Sequence, residues 1–483
     1  MRFLYVDIDT LRADHVGCYG YPRRTTPNID AVASSGVVFE RVYASDTPCL
    51  PSRTALLTGR FGIHNGVVNH GGTDADPAID GPGRGFFSRL HLDSFPSRLK
   101  QAGLRTVSVS SFAERHSAYH WHAGFDETYN VGKFGMERAD EVYAVAADWL
   151  RRCGRGESWF LHVHLWDPHT PYRTPASRGE PFSDSPMPAW LTEDVRTRHW
   201  RGCGPHSAQE GRGFSPNEYD REHYPRQPQE ISDMAAVRAM FDGYDTGVLA
   251  ADECVGKLLE LLAELGVERE TAVMISADHG ENLGELNIYC DHQTADEPTS
   301  HVPLVLRWPG LAAARCRALH YQIDVTATLL ELLGQRVPVS WDGASFAPSL
   351  RDGRDVGREY LVVSQGAWTC QRGVRFDRWM LLSTLHGGYH LFDDVMLFDI
   401  EADPHEQHDL ARERPEITGH GLALLAQWYA GAVREAARGR DPLINVLREG
   451  GPYHTRGELP AYLERLRATH REDQAQRLAV SYR

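Results

Sequence analysis

Phe3-Leu-Tyr-Val-Asp-Ile-Asp9-Thr10-Leu-Arg12 and Ala272-Val-Met-Ile-Ser276-Ala-Asp278-His279-Gly280-Glu281 share one design: a short apolar run that ends abruptly in carboxylate or imidazole side chains. Runs of this length, closed by polar residues, predict buried strands rather than helices. Thr106 to Val109, Trp159 to Trp166 and Val302 to Trp308 repeat the pattern. Amphipathic stretches alternate with them: Asp140 to Leu150, and Leu249 to Leu265 with Gly266 as its stop. This rhythm predicts an α/β fold built on a large, mostly parallel sheet flanked by helices. In open α/β sheets ligands gather beyond the carboxyl ends of the strands, so Asp9, Asp278 and His279 can converge despite their separation in sequence.

At 483 residues the chain exceeds one typical domain. Expected are a catalytic domain over 1–355, a smaller antiparallel-sheet subdomain over 356–440 and a tail over 441–483 that packs on the catalytic domain or a sister subunit. Strand-like Gly373 to Leu382 and Leu397 to Ile400, flanking a Gly387-Gly388 turn, carry the second expectation; Arg178 to Glu230, rich in Pro, Gly, Arg and His, reads as loops near a pocket. A net charge of -15 argues against a nucleic-acid partner, which would want a basic face. No segment approaches the roughly 18 apolar residues of a membrane span. Met1 to Asp9 shows no signal-peptide pattern, and the eight scattered cysteines show no disulfide framework, so a cytoplasmic location with reduced thiols is expected.

The most specific stretch is Cys49-Leu-Pro-Ser-Arg53-Thr-Ala-Leu-Leu-Thr58-Gly59-Arg60. Pro51 suits a first helical turn, which places Cys49 at a helix N-terminus, where free N–H groups and the helix dipole favour an anion. Arg53, four residues on, shares its face and can reach both residue 49 and a bound anion. Asp9, Asp278 and His279 make a divalent-metal donor set; Asp7, on the same strand face as Asp9, is either a further ligand or a group that orients the ligands. In Trp166-Asp-Pro-His169-Thr-Pro-Tyr172 two prolines hold His169 extended at a strand end, suited to donating a proton. His162 and His164, inside that strand, read as hydrogen-bonded core histidines.

Together these motifs resemble the formylglycine-dependent sulfatases of the alkaline phosphatase superfamily and the related phosphonate monoester hydrolases, along most of residues 1–415. Thr26-Pro-Asn-Ile-Asp30, His301-Val-Pro-Leu-Val305, Ile323-Asp-Val-Thr326 and Phe398-Asp-Ile-Glu-Ala-Asp-Pro404 add to the match. The resemblance implies an alkaline-phosphatase-like sandwich. It also implies that a separate formylglycine-generating enzyme oxidises Cys49 to formylglycine, whose hydrate supplies the nucleophilic oxygen beside one divalent cation. Asp9, Asp278 and His279 would hold that cation, calcium or manganese, Arg53 would hold the hydrate and the sulfuryl oxygens, and His169 would contact the sulfate or protonate the leaving alcohol. A Lys that follows the Asp-His-Gly segment in the family is replaced here by Cys290-Asp291-His292, making His292 the candidate substitute. A second Lys-bearing motif gives way to Ser110-Ser-Phe-Ala-Glu-Arg115-His116, and His70, Arg115 and His116 are the candidate substrate-binding residues. The expected substrate is a sulfate ester, of a sulfated sugar rather than a lipid. Hydrolysis of phosphonate monoesters or phosphodiesters by the same nucleophile is the alternative, since Asp278-His279 is closer to those enzymes. The extended tail further suggests a homo-oligomer.

Overall fold

The computed structural model describes residues 1–78, 89–156, 158–214 and 224–482. Its strands are β1 (Arg2–Ile8), β2 (Val37–Tyr43), β3 (Asp46–Thr47), β4 (Arg105–Val109), β5 (Glu127–Tyr129), β6 (Trp159–Leu165), β7 (Thr271–Ser276), β8 (Asn282–Leu283), β9 (Tyr289–Asp291), β10 (His301–Arg307) and β11 (Ala314–Tyr321), then β12 (Tyr360–Gln365), β13 (Cys370–Phe376), β14 (Trp379–His386) and β15 (Val395–Asp399). The central sheet has eight strands in the order β11-β2-β10-β7-β1-β6-β4-β5. β10 runs antiparallel to both its neighbours and the other pairings are parallel. β1 lies between β6 and β7, covered on both faces, which is why Phe3, Leu4, Tyr5 and Val6 form a continuous apolar run, resumed at Ile8 after the buried Asp7. The expected α/β sandwich is the one observed.

Parallel registry brings the strand ends to one edge. Asp7 pairs with His164 of β6 and with Ser276 of β7, so the segments that follow β1, β6 and β7 leave the sheet side by side. Thr10 then adopts φ 58°, left-handed for a β-branched residue, at a cost of about 1–3 kcal/mol. The turn is held by Thr10 N–H donating to Asp278 (3.3 Å) and by Tyr244 O–H donating to the Thr10 carbonyl (2.7 Å).

Two elements differ from the sequence expectation. The helix expected from Leu249 starts at Met234, where the Asp233 side chain accepts from Ala236 N–H. Gly243 and Gly247 mask its first half in sequence, yet their missing side chains are used in packing: a Cβ at Gly247 would fall 2.8 Å from Pro168, so the glycine admits the His169 loop. The run Gly373 to Leu382 is a hairpin rather than one strand, turning at Asp377 (φ 43°) between β13 and β14.

The second sheet, β15-β14-β13-β12-β3, is antiparallel except where β3 joins β12, so residues 46–47 tie it to the start of the Cys49 segment. Within 178–230, Thr192 caps a helix over Glu193–Trp200 and most of the rest is irregular; positions 215–223 lie outside the described residues. The tail forms helices Pro442–Arg448, Leu459–Ala468 and Glu472–Ser481, and packs on residues 202–210 of the same chain through Tyr462 and Arg471. Among the described residues no helix is long and apolar enough to cross a membrane.

Candidate active site

The helix Cys49–Thr58 begins one residue after Pro48, is buried along its whole length and ends at Gly59 in the left-handed region (φ 66°), where a Cβ would collide with Trp341. Its N-terminus meets the carboxyl edge of the central sheet. Sγ of Cys49 lies 3.1 Å from Nε2 of His279 and 4.0 Å from Nε2 of His169. One donor atom each from Asp9, Cys49, Asp278 and His279 falls within 4.8 Å of the others, and Cys49, His279 and His292 form an overlapping group of the same tightness.

Arg53 sits under this cluster, 1% exposed. Its guanidinium donates to Asp7 (2.8 Å), Asp9 (2.9 Å) and Asp278 (2.6 Å), approaches Nε2 of His164 at 2.7 Å and lies over the Phe112 ring. One fixed cation thus faces three buried carboxylates. Burial pushes the Asp278 carboxyl well above its usual range, with Asp9 and Asp7 adding to the effect and Arg53 opposing it. At Asp9 burial acts upward too, but Arg53 and the imidazoles outweigh it and hold that carboxyl well below its usual range.

A divalent cation fits this donor set. Asp9 Oδ1 is buried without a hydrogen-bond partner among the described residues. Nδ1–H of His279 donates to the Gly280 carbonyl (2.8 Å), which leaves the Nε2 lone pair facing the carboxylates and Cys49. Burial, then His292, lowers the His279 imidazole to about 3, so it stands neutral, as a metal ligand must. The carboxylates in excess of Arg53 supply the charge a cation would balance.

Cys49 itself is a poor nucleophile as a thiol. Burial and then Asp9 push it up to about 12, although His292 hydrogen-bonds to it. His292 is oriented by Glu281, which accepts from its Nδ1 at 3.0 Å. Burial works against its protonated form, but Asp291, Cys49 and Glu281 together raise it well above 6.5.

Above the cluster opens a cleft of about 540 Å³ lined by Cys49, His70, Arg115, His116, His169 and His292. These are the expected catalytic and substrate-binding residues outside the metal set and Arg53. Arg115 lies over the Trp166 ring (5.3 Å), and His116 packs edge-on against His70 (4.9 Å). Asp7 lies apart from the metal group, held by Arg53 and by His162 at 3.4 Å. His164 is hydrogen-bonded, as its place in a core strand suggests, but its partners are Arg53, Asp9 and Ser110, so it belongs to the site's support. Sequence reasoning missed Glu281 as the partner of His292, and His206, Trp368, Tyr453 and His454 as lining residues. The loop containing Tyr453 and His454 was recognisable in sequence; its destination was not.

A family model described as Sulfatase matches residues 2–335. The chain belongs to the sulfatase family. Sulfatases are sulfuric ester hydrolases, and a second model, described as N-sulphoglucosamine sulphohydrolase, C-terminal, matches residues 284–419. An N-acetylglucosamine-6-O-sulfatase of Bacteroides thetaiotaomicron is 24% identical over 84% of this chain and 82% of its own length. A structure solved in complex with D-glucosamine-2-N,6-O-disulfate as its substrate superposes with TM-score 0.70 and 21% identity, covering 89% of this chain and 98% of that one. The phosphonate monoester hydrolase of Agrobacterium radiobacter superposes with TM-score 0.69 and 18% identity over 89% and 96% of the two chains. At these identities the superpositions establish the shared sulfatase fold.

Proposed function

We propose that this sulfatase hydrolyses the sulfate ester of a sulfated sugar, using formylglycine made from Cys49 and one divalent cation held by Asp9, Asp278 and His279. The observation that carries the reading is the position of Cys49, at a helix N-terminus within 4.8 Å of two carboxylates and an imidazole. Hydrated formylglycine supplies an oxygen nucleophile, and the cation supplies positive charge beside it. An imidazole in the donor set favours manganese over an all-oxygen calcium cage. The relatives named for glucosamine sulfates support the sugar.

The chain's own residues do the rest. Arg53 fixes Asp9 and Asp278 in place and adds a positive charge below the sulfuryl oxygens, in line with the helix N-terminus. His292, aligned by Glu281, is placed to protonate the leaving alcohol and afterwards to accept a proton; His169 is the second candidate, with its Nε2 4.0 Å from Sγ of Cys49. Arg115, His116 and His70 line the cleft through which the sugar would enter. Maturation would need a formylglycine-generating enzyme, and eight unpaired thiols support a reducing, cytoplasmic setting.

Phosphonate monoester or phosphodiester hydrolysis is the second reading, favoured by the Asp278-His279 pair. Co-expression with a formylglycine-generating enzyme, followed by kcat/KM for an aryl sulfate, an aryl phosphodiester and an aryl phosphonate monoester in manganese and then calcium, separates the two. The sulfate ester should lead, with turnover dependent on Cys49; a lead for the phosphorus esters would replace this reading with the second.

A further inference from the structure

The cleft has a wall that the catalytic residues do not use. It is built from Trp368, in the loop between β12 and β13, and from Tyr453 and His454 in the tail. Both matched family models end before the tail, at residues 335 and 419. Neither model therefore covers what the tail adds to the cleft.

The wall is rigidly attached. His454 N–H donates to the Ala367 carbonyl (3.1 Å), and the His454 ring stacks on Trp368 with centroids 4.4 Å apart and planes at 17°. Nε2 of His454 lies 2.8 Å from Nδ1 of His70, whose Nε2 in turn sits 3.5 Å from the backbone N–H of Leu50 on the Cys49 helix. If Leu50 donates to Nε2 of His70, the proton of His70 resides on Nδ1 and is donated to His454, so the tail helps fix the His70 ring. Tyr453 N–H donates to Asn69 (3.3 Å), and Glu449 accepts from Thr73 N–H (3.1 Å). The Tyr453 ring packs so closely on Gly71 that a Cβ there would fall 2.4 Å from it. Tyr453 nevertheless remains 50% exposed at the cleft.

We propose that Tyr453, backed by the Trp368–His454 stack, is a specificity subsite that binds the C–H face of the pyranose carrying the ester. The proposal rests on the sugar-sulfate reading above. An aromatic ring that packs on the Gly71 backbone and stays half-exposed at the cleft offers apolar area at little ordering cost. The anion is met elsewhere, at Cys49, Arg115 and the imidazoles, so this wall is left to recognise a neutral ring.

The test is a binding measurement that needs no turnover. Cys49→Ala protein loaded with manganese is titrated calorimetrically with N-acetylglucosamine 6-sulfate and with inorganic sulfate. The sugar sulfate should bind about five- to tenfold more tightly than the ion, and adding Tyr453→Ala should remove most of that gain without changing the affinity for inorganic sulfate. Tyr453→Phe should keep the gain. Tyr453→Gln, which keeps a side chain over Gly71 without a ring, should lose it and serves if the alanine variant is unstable. Equal affinity for the two probes, or a gain that survives both ring-removing variants, would overturn the subsite. A ring-dependent gain in a protein whose wild-type form hydrolyses no sulfate ester would sink the proposed reaction while the subsite stands.

Discussion

Nε2 of His279 faces Sγ of Cys49 at 3.1 Å while Nδ1 of the same ring donates to the Gly280 carbonyl. One imidazole therefore joins residue 49 to the carboxylate cluster, and on the proposed reading it positions both the nucleophile and the cation. Cys49→Ala should lower kcat by about a thousandfold or more in matured protein, and Cys49→Ser, which cannot form the same hydrate, should be severely impaired. His279→Ala should lose bound metal along with activity, read by elemental analysis. A variant of Cys49 with full turnover would remove residue 49 from the chemistry.

Chelation tests the charge balance. With Asp7, Asp9 and Asp278 bonded to Arg53, a cation that binds the folded state alone at a hundredfold excess over its Kd adds about 2.7 kcal/mol of stability. Adding manganese to chelated protein should raise the unfolding temperature by a few degrees, and Asp9→Asn should blunt the rise. An unchanged Tm in the wild type would argue that these carboxylates hold no cation.

Arg53→Lys should behave as a severe change. The guanidinium reaches three carboxylates through Nε and Nη1 while Nη2 faces His164, and a single ammonium cannot reproduce that geometry. Leaving buried carboxylates underpaired costs about 3–5 kcal/mol. Urea denaturation of metal-free protein reads this directly; a loss below about 1 kcal/mol would show that another cation or protonation of Asp278 compensates.

How far the sequence discloses this site follows from how each part is encoded. The proposed metal donors and Cys49 lie at the ends of apolar runs or at a helix start, and local pattern with the strand-end rule brings them together. The same buried runs marked β1, β4, β6, β7 and β10, but the order of the strands rests on pairings between distant segments that no local pattern states. Tyr453 and His454 depend on where a loop lands after more than four hundred residues of folding, and no local period encodes that. Gly243 and Gly247 show the opposite failure, since their low helix propensity hid a helix stabilised by tertiary packing.

Acid sensitivity should come partly from a group near the site but outside its chemistry. Glu285 is buried, bonded to His405 at 2.9 Å and paired with Arg12 at 2.9 Å. Burial acts upward on its carboxyl, but Arg12 and His405 outweigh it and bring it from 4.5 down to about 2. A folded value below the unfolded one gives stability that is fully present above pH 4.5 and is lost as pH falls toward 2, about 3 kcal/mol in all. Glu285→Gln should flatten the stability profile across that window. An unchanged acid slope in the variant would assign the acid transition to other carboxylates.

The burial of Cys49 also constrains when it can be modified. The side chain is 1% exposed at the base of the cleft, inside a fully buried helix held by Gly59 against Trp341. A modifying enzyme must bring its own catalytic group to the Cys49 carbon, and unfolding this helix in the finished protein would break the Arg53 network as well. Conversion to formylglycine should therefore precede folding. Incubated with a formylglycine-generating enzyme, a peptide spanning residues 44–60 and the urea-unfolded chain diluted into the reaction should be converted at Cys49, as read by mass spectrometry, while the folded chain should stay a thiol. Equal conversion of folded chain and peptide would mean that the helix opens readily, and the rigidity inferred for the nucleophile's seat would be wrong.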